Sequence, residues 1–108
     1  MYINKVVAFK NLIDYNETDL NKKILAKNAD DMAILFALKK NQLLPTHISP
    51  VEAFILVLEG EVLFNIDNIN HTITTGESLF FQKNEKHTVL AQKDSKFLVV
   101  RLGQQQSK

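Results

Sequence analysis

Thr46-His47-Ile48-Ser49-Pro50-Val51-Glu52-Ala53-Phe54-Ile55-Leu56-Val57-Leu58-Glu59-Gly60 decides the fold. Pro50 keeps the first half out of a helix, because its ring fixes φ and removes a backbone donor. Ala53 to Leu58 then runs apolar on both parities, Ala53, Ile55 and Val57 on one side and Phe54, Leu56 and Leu58 on the other. That pattern predicts a strand whose two faces are both covered. One cover would be a barrel interior and the other a second subunit. Gly60 ends the strand.

Downstream the chain alternates. Val62, Phe64 and Ile66 interleave with polar or outward positions, and so do Ile69, His71 and Ile73. Asp67-Asn68 between these runs is suited to a two-residue hairpin, since both residues tolerate positive φ. Thr75-Gly76-Glu77 is a further turn, and short strands are expected at Leu79–Phe81, Thr88–Ala91 and Phe97–Leu102. Upstream, Met32–Lys39 is a short apolar run after the turn residues Asn28-Ala29-Asp30-Asp31, again read as a strand buried on both faces. Ile3, Val6, Val7 and Phe9 make Tyr2–Phe9 the expected first strand. Many short strands, turns between them and no convincing helix predict an all-β, antiparallel barrel or double-sheet jelly roll.

The totals agree with one small domain. The chain has 108 residues, 45% of them hydrophobic and 23% charged, with a formal net charge of +1. So even a balance gives no electrostatic case for nucleic acid or an acidic membrane. Without cysteine, a disulfide scaffold, a thiolate metal site and cysteine catalysis are all excluded. No apolar run is long enough for a membrane helix, and the first ten residues do not read as a secretory signal. A cytoplasmic protein is the expectation, with residues 1–28 as an N-terminal strand and loop region, 29–102 as the barrel core and 103–108 as a polar tail.

These residues resemble the cupin superfamily, in particular its small single-domain bacterial, RmlC-like members. In the family's first motif Asn41 stands at the leading glycine, His47 at the first histidine, Ser49 at the second, Ala53 at the glutamate and Gly60 at the closing glycine. In the second motif Gly76 and His87 match, while Gln82, Asn84 and Ala91 replace proline, glycine and asparagine. The resemblance implies a double-stranded β-helix, the cupin jelly-roll barrel. It also implies a divalent transition metal (iron, manganese, nickel or zinc) held by three imidazoles and a carboxylate. Only His47 and His87 of that set remain; Glu52, one residue before the lost glutamate, is the candidate third ligand, although a one-residue shift turns a strand side chain to the other face.

Three functions compete. In a binding module, Ile55, Val57 and Phe81 would line the barrel interior, with His47, Ser49, Gln82 and His87 as polar anchors for a small molecule. In an enzyme of oxygenase or isomerase type, the two histidines would hold a metal or act as acid and base. In a structural or regulatory domain, they would be buried, neutral histidines bonded to backbone or to each other, with Ser49-Pro50 shaping a turn. Glu52 reads as a solvated residue, His71 as half-buried, and the phenylalanines as core or interface. A homodimer through the two-sided strand Phe54–Leu58 and the N-terminal strand is expected.

Overall fold

The computed structural model describes residues 2–103. Nine strands form two antiparallel sheets that face each other. Their ranges are β1 (Asn21–Asn28), β2 (Asp31–Leu38), β3 (Leu43–His47), β4 (Glu52–Glu59), β5 (Glu61–Ile66), β6 (Ile69–Thr74), β7 (Ser78–Phe81), β8 (His87–Ala91) and β9 (Ser95–Leu102). One sheet runs β1-β2-β9-β4-β7 and the other β3-β8-β5-β6. This is the expected all-β jelly roll, and it is the period-two alternation of β5 and β8 that closes it. Val62, Phe64 and Ile66 point inward, as do His87, Val89 and Ala91. All of these but His87 meet Ile34, Phe36, Ala53, Ile55, Val57 and Phe97 of the opposite sheet in one apolar core, where Phe36 and Phe97 stack at 5.1 Å between centroids.

Sharp turns set the registers. The β5–β6 hairpin closes through Asp67 (φ 52°) and Asn68 (φ 61°), both left-handed, so the turn's twist matches that of the strands. Asn41 (φ 76°) and Asn84 (φ 67°) adopt the same region as Gly60 and Gly76. All four positions where the cupin motifs carry glycine therefore have positive φ, and asparagine is the residue that tolerates it best. Pro45 sits in β3, an edge strand, where its missing donor costs no ladder hydrogen bond.

The N-terminal region corrects one expectation. Tyr2–Phe9 is not a strand: Asn4 turns the chain at φ 61°, the Lys5 amide donates to the Tyr2 carbonyl at 3.2 Å, and a 3-10 turn comes next at Phe9–Asn11. The apolar residues of this piece stay largely outside, Val6 completely so. Beyond the 3-10 turn the chain forms a strap. Leu12, Ile13 and Tyr15 lie across the outer face of the five-stranded sheet, against Leu35, Ala37, Leu58 and Leu98. The second cover of β2 is therefore the chain's own N-terminal segment. Lys23 Nζ donates to the Leu12 carbonyl (3.2 Å), Gln42 Nε2 to that of Asn16 (2.8 Å), and Tyr15 Oη to Glu59 Oε2 (2.6 Å).

Ile13→Ala is expected to destabilise the fold by about 2–5 kcal/mol, the range for truncating a buried isoleucine. Val6→Ala is expected to stay within about 0.5 kcal/mol, as for exposed positions. Urea unfolding of both variants checks the pair; equal effects would mean that the strap does not cover the sheet.

Candidate functional site

One end of the barrel, between the two sheets, opens into a cavity of about 350 Å³. The β-ladder places the two histidines there. Alternation along β8 turns His87 inward after Ala91 and Val89, and His47 of β3 is its direct cross-strand partner. The rings meet edge to face with centroids 4.0 Å apart. His87 also packs on Phe81 at 4.7 Å and Phe64 at 5.4 Å, and is 3% exposed.

Each ring is tied to the chain by the same device. His47 Nδ1 lies 2.8 Å from the Pro45 carbonyl, and His87 Nδ1 lies 3.1 Å from the Glu85 carbonyl. A carbonyl only accepts, so each Nδ1 carries the proton and donates it. In the neutral rings Nε2 is then a bare acceptor, and neither Nε2 has a partner among the described residues. Burial, then the neighbouring His47 ring, holds the His87 pKa below its usual value, with Arg101 pressing the same way. The Glu85 carbonyl and carboxylate oppose this. His87 is thus neutral at physiological pH.

The remaining walls are mostly apolar: Leu20, Ile34, Phe36, Leu44, Phe81 and Val99. Ser49 also lines the cavity, but its hydroxyl is spent locally, donating to the Val51 carbonyl at 2.5 Å and accepting from the Val51 amide at 3.3 Å. It shapes the turn before β4. Pro45, Thr46 and two cations, Lys22 and Arg101, complete the lining.

Of the residues singled out in the sequence, His47, Ser49, Phe81 and His87 come together here. Ile55 and Val57 do not, because they sit deeper on β4, fully buried in the core. Gln82 and Glu52 lie in a separate surface depression with Phe80 and Leu102. Glu52 is exposed at the start of β4, one position out of phase with Ala53, and no bulge there brings it inward. His71 pairs with Phe64 on the four-stranded sheet, half-buried and away from the cavity. Arg101 and Lys22 are not evident from the sequence. Lys22 gave no signal, being one of two adjacent lysines in an edge strand. Arg101 gave a weak one, since it shares the inward parity of Phe97 and Val99. A larger polar depression of about 480 Å³ lies beyond His87, among Asp67, Asn68 and Asn84 to Thr88; its walls lack the apolar surface that the shared cavity has.

The residues do not fit a cupin metal. Ser49 and Ala53 occupy two of the four ligand positions, Glu52 points elsewhere, and no group of three His, Asp or Glu side chains is clustered among the described residues. Two imidazoles fall short of the three protein ligands such centres use.

The model of the family described as "Cupin domain" matches residues 34–101. A conserved protein of unknown function from Streptococcus pyogenes superposes with a TM-score of 0.89 at 20% identity, covering 98% of this chain and 93% of its own. A cupin superfamily protein from Desulfitobacterium hafniense gives 0.87 at 17% identity, over 94% and 93%. An RmlC-like cupin from Desulfovibrio desulfuricans gives 0.74 at 26% identity, over 82% and 86%. No match was found among curated proteins.

The depressed His87 pKa sets a pH dependence. Below about 6.5 the unfolded chain takes up a proton at this position that the folded chain refuses. Stability therefore falls as pH drops from 6.5 and levels off once folded His87 is itself protonated. Urea unfolding between about pH 8 and pH 5 is expected to show this loss in the wild type and much less of it in His87→Asn. An unchanged slope in the variant would contradict the assignment.

Proposed function

The chain belongs to the cupin domain family, and from that premise we propose that it is a binding barrel for a small organic molecule rather than a metal centre. The observation that carries this reading is the shared cavity: mostly apolar side chains surround two imidazoles whose Nδ1 atoms are fixed to backbone. An apolar pocket with a few convergent polar groups is the usual form of a ligand site. Each bare Nε2 offers an acceptor to a hydroxyl or N–H of the ligand, so the histidines orient rather than coordinate. Fixing the rings in advance lowers the entropy lost on binding.

Screening small organic fragments by ligand-observed NMR is expected to yield binders whose affinity falls about tenfold in His47→Ala, the loss expected for one hydrogen bond plus ring contact. Protein purified without a histidine tag and soaked in iron, nickel or zinc is expected to retain well below one metal per chain. Stoichiometric metal abolished by both His47→Ala and His87→Ala would instead make the site a metal centre and bring enzymatic turnover forward.

Self-association is a second reading, carried by Phe54 and Phe80. They meet edge to face at 5.1 Å on the outer side of β4 and β7, beyond the reach of the strap, and Phe80 is 67% exposed on the sheet's edge strand. Aromatic pairs of this kind anchor interfaces. Sedimentation at micromolar concentration is expected to give a dimer and Phe80→Glu a monomer; a stable wild-type monomer would overturn this reading.

A further inference from the structure

We infer that the cavity takes a small organic carboxylate, with Arg101 as the group that receives the anion. The inference rests on the reading of this cavity as a ligand site and adds the chemical class. The charged groups on its walls are all of one sign. Lys22 and Arg101 line the cavity, and no Asp or Glu does among the described residues. Neither cation forms an ion pair with a described residue; the salt bridges involve Lys39 instead. Acids of adjoining segments line other depressions. Glu85 lies in the polar depression beyond His87, and Glu52 in the depression with Gln82. Asp31 borders a neighbouring groove that Arg101 also touches, but Asp31 Oδ1 is engaged by the Gly103 amide. Two fixed positive charges in an apolar, acid-free cavity attract an anion strongly, since low-dielectric walls focus their field.

Register then decides which cation holds it. On β4, Ala53 is flanked by Arg101 on one side and Phe81 on the other, so the three form one cross-strand row on the inner face. Phe81 packs directly on His87. Arg101 therefore stands in the row that faces the paired imidazoles, between Ala53 of β4 and Met32 of β2. A guanidinium binds a carboxylate with two parallel N–H···O bonds, a geometry lysine lacks. Lys22 pairs with Phe36, four positions from Met32 along β2, and is exposed on the edge strand. Exposed there, it adds to the attraction for an anion while Arg101 holds it.

The imidazoles specify the rest of the ligand. Because both Nδ1 atoms donate to backbone, the rings offer only acceptors, which repel a carboxylate and welcome a hydroxyl. The ligand is then polarised, its carboxylate on Arg101, a hydroxyl toward Nε2 of His47 or His87, and an apolar body against Phe36, Leu44 and Val99.

Mandelate and its neutral counterpart mandelamide test this, with 15N-labelled protein and binding read from amide shifts. Mandelate is expected to bind at least about tenfold more tightly than mandelamide and to weaken as salt is raised. Arg101→Gln is expected to remove that preference while leaving mandelamide unchanged, and Arg101→Lys to restore part of it. Equal binding of the two probes, or equal losses in Arg101→Gln, would overturn the carboxylate assignment while leaving the binding barrel standing. If neither these probes nor the fragment screen shifts resonances of cavity residues, the binding barrel fails and the carboxylate assignment fails with it. Unfolding midpoints of the variants separate lost contacts from lost fold.

Discussion

Strands β2, β4 and β9 are apolar on both faces, and the arrangement of the rest of the chain keeps water from each face. The inner faces are closed by the four-stranded sheet, whose alternating residues supply the other half of the core. The outer faces are closed in part by the strap from Leu12 to Tyr15, which is pinned by side chains of Lys23, Gln42 and Glu59. At this chain length a single core gives a narrow margin of stability. The strap adds a second apolar cluster and so widens it. It stops short of Phe54 and Phe80, and that residual patch is where the case for self-association lies.

The cavity arises from the same construction. Two sheets that pack tightly over Ile55, Val57 and Phe64 separate toward one end, where β3 is short and interrupted by Pro45. Side chains that continue the inward alternation past the core become the lining: His87 after Val89, Arg101 after Val99, Ser49 before β4. The chemistry of the lining is consistent throughout. A His87 ring held neutral by burial, together with unpaired cations and an absence of acids among the described walls, suits an anion with an apolar body far better than a divalent metal. The cupin barrel has kept its shape here while the charge of its inner end runs opposite to that of a carboxylate-bearing metal site.

The fold was legible because its strongest determinants are local. Period-two alternation, the Asp67-Asn68 hairpin and the left-handed positions at Asn41, Gly60, Gly76 and Asn84 each act within a few residues. The site was only half legible. His47 and His87 stood at recognisable motif positions, but Ile55 and Val57 share their strand's inward face with the cavity while lying too deep to line it, a distinction of depth that parity does not contain. Gln82 sits past the end of β7 and turns out to solvent. Lys22 and Arg101 come from opposite ends of the chain and meet only through the β1-β2-β9 pairing. The cover that the strap gives was not legible for a similar reason. Its partner surface is the outer face of a sheet built from residues distant in the chain, Leu35 and Leu98 among them, and apolar content alone made a strand of Tyr2–Phe9, where the chain turns instead.

The site depends on paired imidazoles that both donate from Nδ1 to backbone, with the buried, neutral His87 presenting a bare Nε2 acceptor to the cavity. A long-range 1H–15N correlation spectrum of the histidine rings at about pH 7.5, a unit above the ordinary histidine pKa, tests this most directly. Assigned through His47→Ala and His87→Asn, both rings should show a protonated Nδ1 and an unprotonated Nε2, the minority tautomer for free histidine. Rings protonated at Nε2, or charged at both nitrogens, would contradict the account, because the cavity would then offer donors where it is described as offering acceptors.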